Sequence, residues 1–95
     1  MTEKAPLALD TVMHIPKLFR LQWEKAQNAY VLLYPEGMIK LNQPAGEILK
    51  RVDGNATIGG IINDLETAFP GADLREDVLS FLEGAYGKGW IKPKQ

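Results

Sequence analysis

The chain has 95 residues, the size of one domain with a small core. It contains no cysteine and one histidine, His14, which excludes disulfides, thiolate metal sites, iron–sulfur ligation and cysteine nucleophiles. Its 11 basic and 12 acidic residues leave a formal charge of -1. The broad attraction that drives nonspecific nucleic-acid binding is therefore missing, although a locally basic face stays open.

The opening stretch, Met1 to Asp10, mixes charges around Pro6 and lacks a cationic start followed by an apolar run of signal-peptide length. Residues 1–17 read as a flexible segment, and residues 18–92 as the single folded domain. No apolar run approaches the roughly 20 residues needed to span a bilayer. The expectation is a soluble, cytoplasmic protein that does not use a membrane.

Leu18 to Trp23 alternates, with Phe19, Leu21 and Trp23 on one face, as in a half-buried strand. A turn-prone stretch from Glu24 to Asn28 leads into a second, more apolar strand, Ala29 to Tyr34. Pro35 cannot donate to a ladder and Gly37 tolerates unusual backbone angles, so the chain turns there into a third strand, Met38 to Leu41. Short and late in the sheet, that strand reads as an exposed edge whose unpaired backbone groups another chain can use.

From Asn42 the period becomes helical. Asn42 caps a helix whose Ala45, Ile48, Leu49 and Val52 share a face, with Pro44 in the first turn and Asp53-Gly54 as the stop. Thr57 caps a second helix with a stripe of Ile58, Ile61, Ile62, Leu65 and Phe69, ended by Pro70 and Gly71. Gly59 and Gly60 serve either a close approach by another element or simple fraying of the first turn. Asp73 and Glu76 form an acidic capping box for a third helix reaching about Tyr86, with a stripe of Leu74, Val78, Phe81, Leu82 and Ala85. Gly87 to Gly89 then releases Trp90 and Ile91 onto the core, and Pro93 to Gln95 should fray. The predicted fold is α+β: a three-stranded antiparallel sheet followed by three helices, related to winged helix-turn-helix proteins.

Few residues point to chemistry. His14 lies in a proline-flanked lead-in without an obvious partner, so no catalytic residue is assigned, and scattered acids supply no metal-ligand spacing. Asp73, Glu76 and Asp77 are explained by the helix dipole. Gly84, Gly87 and Gly89 end a helix rather than open one onto a phosphate. A DNA-binding winged helix is the alternative by fold, but the third helix carries four acids against Arg75 alone, and the second carries Asp64 and Glu66 with no base. Lys17, Arg20, Lys40, Lys50 and Arg51 are the bases left to form a basic face outside these two helices. A peptide groove between the edge strand and the third helix fits better, although Val78, Phe81, Leu82 and Ala85, each taken singly, read more readily as core than as groove lining.

Several pieces together resemble one family: Phe19-Arg20-Leu21 with Trp23; Tyr34-Pro35-Glu36-Gly37; Leu41-Asn42 with Ala45; Ile48-Leu49; Asp53-Gly54; Asp77-Val78 with Phe81-Leu82; and Gly89-Trp90. They make the chain, from about Leu18 to Ile91, similar to the PqqD family, peptide chaperones of pyrroloquinoline quinone biosynthesis. The resemblance implies a recognition domain that binds the precursor peptide PqqA as an added strand and presents it to the radical S-adenosylmethionine enzyme PqqE. It implies no cofactor and no reaction of the chaperone itself. Carried onto this sequence, the peptide strand lies along Met38, Ile39, Lys40 and Leu41, and its apolar side chains meet Val78, Phe81, Leu82 and Ala85. By charge, Arg75 and Lys40 are placed to take acidic side chains, and Glu36 is a candidate contact for the partner enzyme. The open edge also permits a homodimer, by edge pairing or strand swapping. Val52 departs from the cysteine common at that position in the family, a change expected to be neutral.

Overall fold

The structure is a computed structural model that describes residues 7–94. Eight elements follow in chain order: β1 (Met13–His14), β2 (Arg20–Glu24), β3 (Ala29–Tyr34), β4 (Gly37–Lys40), α1 (Gln43–Leu49), α2 (Ile58–Ala68), α3 (Arg75–Gly87) and β5 (Lys92–Pro93). The expected α+β arrangement is present: β2, β3 and β4 form an antiparallel meander in that order, followed by the three helices. A second, two-stranded sheet joins β1 to β5.

In the meander, Leu21 faces Leu32, and Leu32 faces Ile39, across the strands. These three side chains share the face turned toward the helices. Val31 and Leu32 are consecutive, point to opposite sides, and are both fully buried. On the outer face Val31 sits in register between Gln22 and Lys40, whose long side chains flank it. Strand β2 starts two residues later than its alternation suggested, and Leu18 is exposed. Trp23 is also largely exposed, because it lies on an edge strand near its end, where it stacks edge-on against Tyr30.

Both polar caps predicted for the first two helices form. Asn42 Oδ1 accepts from the Ala45 amide at 2.9 Å, and Thr57 Oγ1 from the Gly60 amide at 3.0 Å. After Leu49 the chain tightens, with Arg51 and Val52 donating to Ile48 and Leu49 three residues back, so α1 is shorter than its apolar stripe. Val52 still reaches the core. Gly59 is explained by close approach: its amide donates to the Leu9 carbonyl at 2.8 Å, and a Cβ there would stand 3.2 Å from that oxygen.

Three expectations are corrected. The capping box of α3 does not form; the helix begins at Arg75 after Leu74, which has no side-chain cap. The Leu74 amide donates instead to Glu66 Oε2, 3.1 Å away on α2. Phe69 leaves the buried stripe, because α2 ends at Ala68 and the chain turns at that residue. Finally, the folded unit extends beyond residues 18–92. Met13 is fully buried in the main core, Val12 bridges to Thr57, and His14 pairs with Lys92. Pro93 and Lys94 are likewise tied down, the Lys94 amide donating to Val12 O at 2.8 Å and its Nζ to Gly54 O at 2.9 Å. The remainder of the expected terminal segments, residues 1–6 and 95, lies outside the described residues.

Candidate functional site

Among the described residues, the meander order leaves one long side of β4 without a strand neighbour. Its register decides which backbone groups point there. Leu41 N–H donates to Tyr30 O, and Tyr30 is the residue directly across from it in a register where Val31 faces Lys40. In an antiparallel ladder, hydrogen-bonded pairs alternate with pairs that make no mutual bonds. Gly37, Ile39 and Leu41 therefore aim their N–H and C=O at β3. Met38 and Lys40 aim theirs at the open edge, giving two donors and two acceptors spaced for an added strand.

Side chains alternate in the opposite sense. Met38, 49% exposed, and Lys40 project from the outer face of the sheet, with Leu33 and Val31. Ile39 turns inward, half-buried against the core, and Leu41 is buried. On α3, Val78, Leu82 and Ala85 are almost wholly enclosed. They are core, so little of their surface remains for a ligand. Phe81 is half-buried and flanks them. Arg75 is exposed but lies six residues before Phe81, about 120° around the helix, so the two are on different flanks. Glu36 is exposed in the turn between β3 and β4. The predicted residues thus divide into edge backbone, two half-buried apolar side chains, Ile39 on β4 and Phe81 on α3, and buried support.

Sequence reasoning missed a cleft of about 410 Å³ where α1, the end of α2 and the start of α3 meet. Pro44, Ile48, Leu65, Phe69, Leu74 and Val78 form its apolar wall, and Gln43, Glu47 and Asp77 its polar margin. The missed signal was Phe69, which the helical period assigns to the core. Phe81 follows Asp77 by four residues and Val78 by three, so it continues the same flank of α3 one turn on.

Glu47 is fixed by Arg51, which donates to its Oε1 at 2.8 Å, to its carbonyl at 2.9 Å, and through Nε to Asp64 Oδ2 at 2.6 Å. This bridge clamps α1 to α2. The hydrogen bond from Arg51, opposed by partial burial and aided by the charge of Lys50, holds the Glu47 carboxyl below its ordinary range. Asp53 is also lowered, because its carboxylate accepts the Ala56 and Asn55 amides in the turn after α1. Among the described residues, no group of three histidine or acidic side chains converges as a metal site. No helix among the described residues is long and apolar enough to cross a membrane.

Comparison with known proteins places this architecture. The family model described as "Coenzyme PQQ synthesis protein D (PqqD)" matches residues 29–91. The chain is 53% identical over 75 residues to a PqqA binding protein of Stutzerimonas stutzeri, covering 78% of this chain and 82% of that one. It is 52% identical over 86 residues to a PqqA binding protein of Azotobacter vinelandii, covering 86% and 94%. The solution NMR structure of the PqqD truncation of Methylobacterium extorquens PqqCD superposes with a TM-score of 0.70 at 32% identity, covering 92% of this chain and 97% of that one. That protein is described as a functional, stand-alone recognition element for ribosomally synthesized and post-translationally modified peptides. With a family match across most of its folded length and relatives at this level of identity, the chain belongs to the PqqD family.

Proposed function

We propose that this chain is a peptide chaperone: it binds the precursor peptide PqqA as a strand added to β4 and presents it to the radical S-adenosylmethionine enzyme PqqE in pyrroloquinoline quinone biosynthesis, performing no chemistry itself. The observation that carries the reading is the edge of β4, which has no strand partner among the described residues, with the backbone groups of Met38 and Lys40 directed outward. Relatives named PqqA binding protein support the choice of peptide. In this reading Ile39 and Phe81 offer apolar contact beside the added strand. Val78, Leu82 and Ala85 hold α3 in place behind them, and Arg75 contributes long-range charge.

Amide NMR titration of the protein with PqqA tests this. Saturable shifts concentrated from Met38 to Leu41 and on the Phe81 flank of α3 are expected. Shifts confined to other surfaces would remove the placement, and strongly salt-dependent binding of duplex DNA in place of PqqA would favour the winged-helix alternative. Glu36, exposed at the turn, is assigned to contact with PqqE. Its replacement by glutamine should weaken PqqE binding while leaving PqqA affinity unchanged; equal PqqE affinity in a folded variant rejects that role.

A further inference from the structure

The cleft between α1, α2 and α3 is not needed for strand addition, yet it has a built form. Its wall is apolar, Phe69 stands 42% exposed on it, and its volume of about 410 Å³ is within the range of side-chain and small-ligand pockets. Its margin is acidic, and no lysine or arginine lines it. The two acids differ. Glu47 is already neutralised by Arg51, whereas Asp77 has no ion-pair partner among the described residues. The cleft is also close to the open edge. Gln43, on its margin, is three residues beyond Lys40, and three residues of chain span at most about 10 Å.

We infer that this cleft receives a large apolar side chain of the same peptide that pairs with β4, from a position flanked by lysine or arginine, with the cation set against Asp77. The inference rests on the strand-addition reading. It adds a specificity determinant to it: edge hydrogen bonding accepts any extended backbone, whereas an apolar pocket with an unpaired carboxylate selects side chains. A peptide strand leaving the Lys40 end of β4 reaches the cleft within a few residues, so one ligand can occupy both.

Synthetic PqqA is the probe, with the intact protein labelled on its isoleucine and leucine methyl groups. Intermolecular NOEs from Ile48 and Leu65 to an apolar PqqA side chain are expected. Asp77→Arg and Phe69→Ala should each weaken PqqA binding about threefold to tenfold, with Phe69→Leu retaining most of it, while circular dichroism shows the fold kept. Exchanging the flanking cation of PqqA for glutamate should restore affinity to Asp77→Arg. Absence of the NOEs, with both variants within twofold of the parent protein, overturns the inference; the edge reading survives if Lys40→Pro still weakens binding. Should Lys40→Pro and the cleft variants all leave binding unchanged, both fall. Weakened affinity for PqqE with unaltered PqqA binding would assign the cleft to the enzyme and also overturn the inference.

Discussion

Gly46 and Tyr30 are in contact at the limit of what a helix and a sheet allow: a Cβ on Gly46 would come within 2.9 Å of Tyr30 Cδ2 and 3.2 Å of its Cβ. The glycine lets α1 lie directly on β3, the central strand. Tyr30 then packs against the core and stacks on Trp23, ring centroids 5.0 Å apart.

Alanine at Gly46 should therefore destabilise the protein. Overpacking of a tight site costs about 1 to 3 kcal/mol, against a gain of about 1 kcal/mol from helix propensity. A lower urea midpoint is expected, with partial recovery in the double variant carrying Tyr30→Leu, which relieves the clash. A midpoint equal to or above that of the parent would show that the helix can shift without penalty.

The phase of the β4 ladder distinguishes adjacent prolines. Lys40→Pro removes an outward amide and leaves the bonds to β3 intact, so PqqA affinity should fall at least about tenfold, the scale of one or two hydrogen bonds. Stability should change little. Ile39→Pro removes an inward bond and should lower the unfolding midpoint itself. Lys40→Ala, measured beside them by calorimetry, separates loss of charge from loss of the amide.

Acid should loosen the clamp between α1 and α2. Because Glu47 titrates below its ordinary value of 4.5 when folded, its stabilisation is complete well above that pH and is lost as the pH falls through the folded value. Arg51→Met should remove about 1 kcal/mol near neutrality and flatten the fall in stability between about pH 6 and pH 3. Equal slopes in the two proteins, measured by urea unfolding, would mean that the clamp does not contribute to acid sensitivity.

The arm before β2 belongs to the domain, and Met13→Ala tests it. Truncation of a fully buried methionine should cost about 2 to 5 kcal/mol and lower the thermal midpoint by several degrees. Amide exchange at Lys94 should accelerate at the same time, since it bonds to Val12 O beside the substituted residue. A change under about 0.5 kcal/mol would indicate that the arm is only loosely attached.

Much of the fold was legible because its signals act over a few residues. The caps of Asn42 and Thr57, the turn through Pro35 and Gly37, and the stripes of α1 and α2 each depend on neighbours within one turn of chain. Where a local rule failed, a distant partner had replaced it. Glu66 accepts the Leu74 amide at the start of α3, where a capping box of Asp73 and Glu76 was expected, and Leu9 came close to Gly59, a question the double glycine alone left open. Phe69 obeyed the helical period but stood one residue past the helix end.

By itself, then, the amino-acid sequence determined the succession of strands and helices, the scarcity of groups for catalysis, and the short strand from Met38 to Leu41 as the place where another backbone could pair. Tertiary structure decided which face of that strand is open. The hydrogen bond from the Leu41 amide to Tyr30 O sets the ladder's phase, so Met38 and Lys40 present their amides outward while Ile39 presents its side chain inward. It also enclosed Val78, Leu82 and Ala85, left Phe69 and Phe81 partly open, and joined β1 to β5 across nearly the whole chain. Periodicity defines a stripe on a helix or strand, but burial and register depend on what packs against it, and those contacts are made by residues far apart in sequence.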